Sequence, residues 1–450
     1  MVLLTHHHPD ECAGLLEQTR WPFEVHAPAG EDAFMSPPGV SAYWEQRWTA
    51  GVPASYHVLP RGIEGMQYDL AGFTDLFWET RRVRFLHTPG HGPNAVSIII
   101  DHNDKQVAFC GDAVHDGATI YQPYNLEWDH WTGDGALAAW RGIRRLEEIA
   151  VDLLCPSHGR VIENPRLTLE SLEHKLMALY HAKGAIAFGQ PDRHVEPTRI
   201  LDCDARQVLP HLYQFAGNGY LLLSPRGEAM VIDMQPPDLP ELQKLLAQVG
   251  DPPVTVAMAT HYHSDHASGL NLARDHFDAK VVLHPLVAQP LADPSQWNIP
   301  WQMGESVEPD ELLPADGAWS WSGLTFDIAH LPGQTWWHAG WLVELDGERI
   351  AFTGDTFQTP SRWHGTGGFC SYNGCRFADG FAATARRVMQ WQPTIIANGH
   401  GIFYRYAAEH YEAILQWVER AESAVRALCP SGDLATDYYM TTNRADVLPS

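Results

Sequence analysis

The sequence predicts an α/β protein made of two similar layered domains in tandem. Three observations carry this. At 450 residues the chain exceeds what one hydrophobic core usually holds, so two domains are expected. Short apolar runs recur in both halves, and each ends in a turn that presents a His or an Asp, the pattern of buried strands delivering side chains to one edge. The turns also keep step. His91 to Asp112 and Gln334 to Asp355 both span 21 residues, while Asp112 to His158 and Asp355 to His400 span 46 and 45. Two unrelated segments would not share this ladder, so a whole domain is duplicated. The expected boundaries are 1–188 for the first domain, 189–197 for a polar, Pro-containing linker, 198–405 for the second domain, and 406–450 for a C-terminal helix and tail.

The first half opens on Leu3-Leu4-Thr5-His6-His7-His8-Pro9-Asp10-Glu11, an apolar strand running into a His cluster. A purification tag would not continue into Pro-Asp-Glu-Cys after such a strand. Phe85 to His91, Val107 to Asp112 and Leu154 to Gly159 each repeat the scheme of strand, tight turn and polar residue. Residues 30–80 are rich in Pro, Trp and Gly and are expected to hold lid loops. Residues 165–187 carry Leu169, Leu172, Leu176 and Leu179 on one helical face.

The second half has a fuller lead-in. Gly219 to Leu223 and Ala229 to Ile232 read as strands joined by a Pro-Arg-Gly turn, Leu239 to Val249 as a helix, and Val254 to Ala259 as the strand before Thr260-His261-Tyr262-His263-Ser264-Asp265-His266. The first half has only Val2 to Leu4 in that place, so its sheet should lack its leading strands and show an exposed or borrowed edge; a shortened start is the preferred explanation. Residues 285–322 are again read as lid loops, and Phe369 to Arg376 as a substrate rim. Eight Trp lie between 297 and 363, enough to wall a pocket or to fill a core. His87 and His330 are strand-end structural residues. The stripe of Ile414, Trp417, Val418, Ala421 and Val425 packs on its own domain in preference to forming the dimer helix of a homo-oligomer, which stands as the other reading.

Composition narrows the class. Asp plus Glu number 55 against 30 Lys plus Arg, a net charge of −25 that disfavours nucleic acid as a partner. No apolar run approaches the roughly 18 residues needed to span a bilayer, and the N-terminus does not read as a signal peptide. Seven scattered Cys, an odd number without a framework, point to a reducing, cytoplasmic compartment. Cys370 and Cys375 stand close together, but no partner pair accompanies them.

The 260–266 cluster cannot be an ordinary core motif. Burying four such polar side chains without partners would cost several kcal/mol each, roughly. Neutral imidazoles with an ionised carboxylate suit a borderline-soft divalent ion such as zinc. The cluster resembles the H-x-H-x-D-H signature of the metallo-β-lactamase superfamily, and the downstream Pro-Gly-His, Thr-Gly-Asp and Gly-His turns extend that resemblance over nearly the whole chain. It implies tandem αββα sandwiches, the first lacking its leading strands.

By that resemblance the first half places a first metal on His6, His8 and His91 and a second on Asp10, Glu11 and His158, with Asp112 bridging. Glu11 departs from the signature's His; it still ligates zinc but favours iron or manganese more than His does. The second half places a first metal on His261 and His263, with Gln334 where the third His belongs. The second metal falls to Asp265, His266 and His400, with Asp355 bridging. A neutral amide is a poor zinc ligand, so this first metal should bind weakly, unless His338 swings in. Asp10, Asp112, Asp265 and Asp355 are the carboxylates assigned to catalysis. The implied function is a hydrolase whose metal-bound hydroxide attacks an ester, thioester, lactone or amide bond of a small-molecule substrate. Likeness to glyoxalase II-type hydrolases is confined to the metal motif. Two other readings stay open: a degenerate metal-binding scaffold, with one or both domains inactive, and a di-iron redox protein using Glu11.

Overall fold

A computed structural model describes residues 1–17, 22–46, 56–71, 75–183, 193–359, 366 and 368–439. The chain divides into two compact units. One holds the described residues of Met1–Gly184 and Arg420–Thr441, the other those of Ala185–Glu419.

In the first unit the strand Val2–Leu3 pairs in parallel with Val25–Pro28, which pairs in parallel with Gln67–Leu70. Among the described residues no strand takes the other edge of Val2–Leu3. A second sheet of five strands runs Asp75–Trp78, Arg81–His87, Val96–His102, Lys105–Gly111 and Leu153–Pro156, antiparallel until the last pair, which is parallel. Its strands alternate as a half-buried surface requires: Val83 and Phe85 are buried while Arg82 is exposed. Asn103 and Asp104, both at positive φ, make the two-residue turn whose twist matches its flanking strands. The layer between the two sheets is small, with Leu70, Val83, Phe85, Val96 and Ile98 at its centre. Helix Pro165–Lys183 buries the expected Leu169, Leu172, Leu176 and Leu179 and packs with Asp134–Ile149.

The second unit has an eight-stranded sheet in the order Glu311–Leu312, Lys280–Leu283, Val254–Met258, Ala229–Ile232, Gly219–Leu223, Leu212–Phe215, Ala205–Leu209, Arg199–Ile200. The first four are parallel and the rest antiparallel. Its facing sheet has six strands: Asp316–Trp321, Leu324–His330, Ala339–Leu345, Glu348–Gly354, Ile395–Asn398 and Phe403–Arg405. Between the sheets lies a broad apolar layer including Tyr220, Met230, Ile232, Met258, Trp341, Phe352 and Phe403. A second layer, including Leu242, Leu245, Leu270 and Ala273, joins the eight-stranded sheet to helices Leu239–Gln248 and Leu270–Phe277.

The structure corrects several expectations. The stretch 30–80 is not a set of lid loops: it holds helices Asp32–Met35 and Pro37–Gln46 and strands Gln67–Leu70 and Asp75–Trp78, with 47–55 and 72–74 outside the described residues. Likewise 285–322 holds helix Pro285–Ala292 and two strands. Of the expected linker 189–197, residues 189–192 lie outside the described ones. Arg193 and Val195 are not free linker, because the Arg405 N–H donates to Arg193 O (2.8 Å) and the Val195 N–H to Phe403 O (3.0 Å). The C-terminal helix Ala408–Leu428 is no segment apart. Trp417 packs on Phe369 and Phe381 in the second unit, whereas Arg420 onward groups with the first. There the Ile120 N–H donates to Leu428 O (2.9 Å), and the Tyr438 hydroxyl donates to Glu127 (2.6 Å). Residues 440–450 of the tail lie outside the described ones.

Candidate metal centres

In the first unit every expected ligand sits just past a strand or at a helix start. His6 follows Val2–Leu3. His8 is the residue before the one-turn helix Pro9–Cys12, and the Cys12 thiol anchors that turn by donating to the carbonyls of His7 and His8. His91 follows a turn at Gly90, where a Cβ would lie 2.4 Å from Ala139 Cβ, so only glycine lets the turn sit against helix Asp134–Ile149. Asp112 and His158 follow the strands Lys105–Gly111 and Leu153–Pro156.

These residues form two adjoining groups. His6, His8 and His91, all buried, have potential ligand atoms within 4.8 Å of one another, and so do Asp10, Glu11, Asp112 and His158. Asp112 stands between the groups: its Oδ2 is 3.3 Å from His91 Nε2, 3.6 Å from His6 Nε2 and 4.0 Å from His158 Nε2. His158 Nε2 also lies 3.0 Å from Asp10 Oδ2 and 4.0 Å from Glu11 Oε1. Thr5 Oγ1, 3.0 Å from His6 Nδ1, orients that ring. Burial first, then the neighbouring imidazoles, lowers His6 to about 3 and pushes His8 and His91 well below the usual range. All three are therefore neutral, the form that ligates. Burial, with Glu11 and Asp10 nearby, raises Asp112 to about 8.

A divalent cation fits this arrangement. His6 Nε2, His8 Nε2 and both Asp112 oxygens are buried without a hydrogen-bond partner. Each such atom costs about 1–3 kcal/mol if nothing engages its lone pair, and a crowd of carboxylates here holds even Asp112 against ionisation. Shared cations answer both costs.

The second unit also brings its expected residues together, in a different balance. His261, His263 and Asp355 form one buried group, and Asp265, His266 and His400 the other. Here the carboxylates already have partners. His400 Nε2 is 2.9 Å from Asp355 Oδ2, and His266 Nε2 is 3.2 Å from Asp265 and 3.6 Å from Asp355. Burial alone would lower His266, but Asp265, Asp355 and Asp233 outweigh it and hold that ring well above its usual range. Burial alone would raise Asp355, but His400 and His266 hold it well below. Gly399 lets the last turn close over this pair, since a Cβ there would be 2.2 Å from Asp355 Oδ1.

Gln334 is buried in the place of the third imidazole, with its Nε2 3.4 Å from Asp355 Oδ2. His338 does not replace it: its Nε2 accepts the Asp355 backbone N–H (3.2 Å), and its ring stacks on His261 with centroids 4.9 Å apart. The expected substrate rim is buried instead, and its Asn373 Oδ1 reaches His263 Nε2 at 3.1 Å while accepting the Tyr262 hydroxyl. Trp337 and Trp341 belong to the apolar layers, and Trp363 lies outside the described residues.

Sequence reasoning missed several members of both sites. His57 meets His8 edge-on (5.2 Å), Tyr121 stacks on His158 (3.7 Å), Asn125 Nδ2 lies 3.4 Å from His91 Nε2, and His7 Nδ1 lies 2.5 Å from Glu31 Oε2. In the second unit Asp233 accepts from the Thr260 N–H (2.7 Å) and lies 3.0 Å from His266 Nδ1. Asn218 donates to Asp265 (3.0 Å) and lies 3.2 Å from His400 Nδ1. Only Asp233 carried a signal, as the residue closing an apolar strand.

Paired sheets with His and Asp clusters along one edge define a layered sandwich of the αββα kind with candidate metal ligands at its edge. The metallo-beta-lactamase superfamily model matches residues 2–158 and 212–430, and the chain belongs to that superfamily. It is similar to the hydroxyacylglutathione hydrolase of Aeromonas salmonicida (strain A449), 28% identical over 143 residues, which is 32% of this chain and 47% of that protein. The corresponding hydrolase of Aeromonas hydrophila is 27% identical over 143 residues, with the same shares covered. The chain thus spans about half the length of the curated relatives it matches. Among solved structures, a B3 metallo-β-lactamase with an active-site glutamic acid is 19% identical at a TM-score of 0.38, over 53% of this chain and 98% of that one. A metallo-β-lactamase from Pontibacter korlensis is 16% identical at a TM-score of 0.36, over 50% and 98%.

Proposed function

We propose that this chain is a metal-dependent hydrolase of small molecules, cleaving an ester, thioester, lactone or amide bond, with the first unit as its main site. The observation that carries this is Asp112 standing between two ligand groups, His6-His8-His91 and Asp10-Glu11-His158. Those residues would hold two divalent cations, which supply Lewis acidity and an acidified water. Zinc suits the three imidazoles; Glu11 makes iron or manganese acceptable at the other position. The name of the Aeromonas relatives, hydroxyacylglutathione hydrolase, supports an acyl group as the part attacked.

The chain's own residues set the stage. The buried imidazoles are kept neutral and aimed inward, His6 by Thr5 and His8 by the anchored turn at Cys12. Asp10 and His158 lie at the more open side, with His158 Nε2 3.0 Å from Asp10 Oδ2, so the second cation position would face the side from which a substrate enters. Tyr121, stacked on His158, screens that pair and offers a flat apolar face to a substrate. The acidic surface fits a neutral or cationic small molecule better than a nucleic acid. Among the described residues no helix is long and apolar enough to cross a membrane. A cytoplasmic location is part of the proposal, resting on the scattered odd number of cysteines.

For the second unit the scaffold reading is favoured, because Asn373 caps His263 and the Asp355 carboxylate is matched by His266 and His400. The test is Asp112→Ala against Asp355→Ala on one acyl substrate, with metal content measured for both. Turnover should fall at least 100-fold for Asp112→Ala and less than threefold for Asp355→Ala. The reverse ranking would make the second unit the enzyme.

A further inference from the structure

One residue separates the two leading imidazoles of each unit, His7 in the first and Tyr262 in the second, and neither is exposed. The backbone is extended where each run ends, at His8 (φ −62°, ψ 147°) and at His263 (φ −56°, ψ 142°). Along an extended chain, alternate side chains share a face. His6 and His8 accordingly come together, ring centroids 4.6 Å apart, while His7 stands outside their ligand group. His7 meets Glu31 instead. Its Nδ1 lies 2.5 Å from Glu31 Oε2, with both side chains wholly buried, and Phe34 stacks on the same ring at 4.5 Å.

Glu31 is firmly seated. Its N–H donates to Pro28 O (3.1 Å), and its carbonyl accepts the Phe34 N–H (2.9 Å). Pro28 ends the strand Val25–Pro28, which pairs with Val2–Leu3 just ahead of the His run. Glu31 and the His run thus hang from neighbouring strands, and the contact with His7 ties their far ends together. The second unit holds its middle residue differently. The Tyr262 hydroxyl lies 2.8 Å from Pro300 O and donates to Asn373 Oδ1, which also lies 3.1 Å from His263 Nε2. The anchor there takes up the second imidazole as well. Glu31 meets no ligand nitrogen among the described residues, and His8 Nε2 is buried without a hydrogen-bond partner.

We propose that Glu31 is a positioning residue of the first unit: acting through His7, it aims His6 and His8 at the cation position and leaves both rings open to the ion. The inference rests on the reading of that unit as a metal site. A carboxylate is suited to the task, since it accepts from the ring N–H of His7 and a buried carboxylate is strongly destabilising without such a partner, which makes the contact hard to break. Residues that hold a metal's ligands from behind set its affinity nearly as strongly as the ligands do. Seen this way, the exchange of His7 and Glu31 for Tyr262 and Asn373 works in the same direction as the exchange of His91 for Gln334: both leave the imidazole position open in the first unit and closed in the second.

The probe is Co²⁺, whose visible absorption reports the number and geometry of its ligands, titrated into the metal-free full-length protein in competition with a chromophoric chelator. Asp112→Ala should remove part of the wild-type absorption, which assigns that part to the first unit. Glu31→Met fills the space but offers His7 no acceptor. It should weaken that binding by about tenfold or more and change the shape of the spectrum. The double variant His7→Phe, Glu31→Met replaces the pair by apolar groups, a change that folds tolerate, and should show the same loss. Glu31→Gln keeps an acceptor oxygen and should retain most of the affinity. Unchanged Co²⁺ affinity and spectrum in Glu31→Met or in the double variant would overturn the proposal. So would a loss in Glu31→Gln as deep as in Glu31→Met, because the carboxylate would then act by its charge and not by aiming the rings. If Asp112→Ala removed none of the absorption, the reading of the first unit as a metal site would fall, and this inference with it.

Discussion

Asp112 and Asp355 occupy repeated positions and have opposite surroundings. Asp112 faces Glu11 and Asp10, so burial and like charge raise it, and either a proton or an added cation would relieve the site. Asp355 faces His266 and His400, which neutralise it from within the chain. The single exchange of His266 for Glu11 between the repeats therefore reverses the electrostatic surroundings of the central carboxylate. The other exchange, His91 for Gln334, would weaken a cation at the first position of the second unit, since a neutral amide replaces an imidazole. Gln334→His should restore three imidazoles there and raise the metal bound per chain. The gain should approach one ion only in the double variant Gln334→His, Asn373→Ala, because Asn373 otherwise stays on His263. Elemental analysis after dialysis checks this; no gain in the double variant would mean that the surrounding helix and loops, not these two amides, exclude the ion. The sequence brought out the His, Asp and Glu residues that gather into two groups in each unit, because they sit at strand ends with fixed spacing. It did not name Asn218, Asn373 or His57, since loop residues that reach a site across the fold leave no periodic trace. His338 stands behind the site and not in it: its Nε2 is taken by the Asp355 backbone N–H, which proximity in sequence to Gln334 does not reveal.

Elements were legible where periodicity was strong and illegible where proline appeared. The four leucines of Pro165–Lys183 announced that helix. Pro37 and Pro38 fall in the stretch expected to hold lid loops, but they open the helix Pro37–Gln46, where the first turn needs no N–H donor and proline is at ease. The end of Pro165–Lys183 holds an interaction that no local pattern shows. Lys183 Nζ, fully buried, lies 3.8 Å from Glu127 Oε1 and donates to Asp129 O at 3.0 Å, and Tyr438 donates to the same Glu127 oxygen. The network ties one helix, one loop and the chain's C-terminal turn within the first unit. Breaking a buried pair by removing one partner costs about 3–5 kcal/mol, because the other charge is left without compensation. Lys183→Met should lower the stability of the first unit by about that much in urea titration. Replacing both partners, Lys183→Met with Glu127→Gln, should recover a large part of the loss. A loss under about 1 kcal/mol for the single variant would mean the pair behaves as a solvated one.

At the scale of the molecule, duplication was plain from the ladder of turns, but the unequal depth of the two cores was not. The second unit buries a broad layer between an eight-stranded and a six-stranded sheet; the first has three strands facing five and a few central residues. Tyr220, Asp233 and Asn218 all come from the lead-in that only the second half has, so the same segment that completes the core also steadies the site. If cations occupy its two ligand groups, the first unit is expected to draw more of its stability from them. A ligand that binds only the folded state at about a thousand times its Kd stabilises by about 4 kcal/mol, which for a domain of this size is roughly 10 °C in Tm. Calorimetry of the metal-loaded protein should therefore show two transitions. Excess chelator should lower one by roughly that amount while moving the other little. Asp112→Ala should mimic the chelator and abolish its further effect, whereas Asp355→Ala should leave the chelator response intact. If chelation moved both transitions equally, or moved only the one that responds to Asp355→Ala, the sites would be equally dependent on metal, and the neutralising role given to His266 and His400 would be wrong.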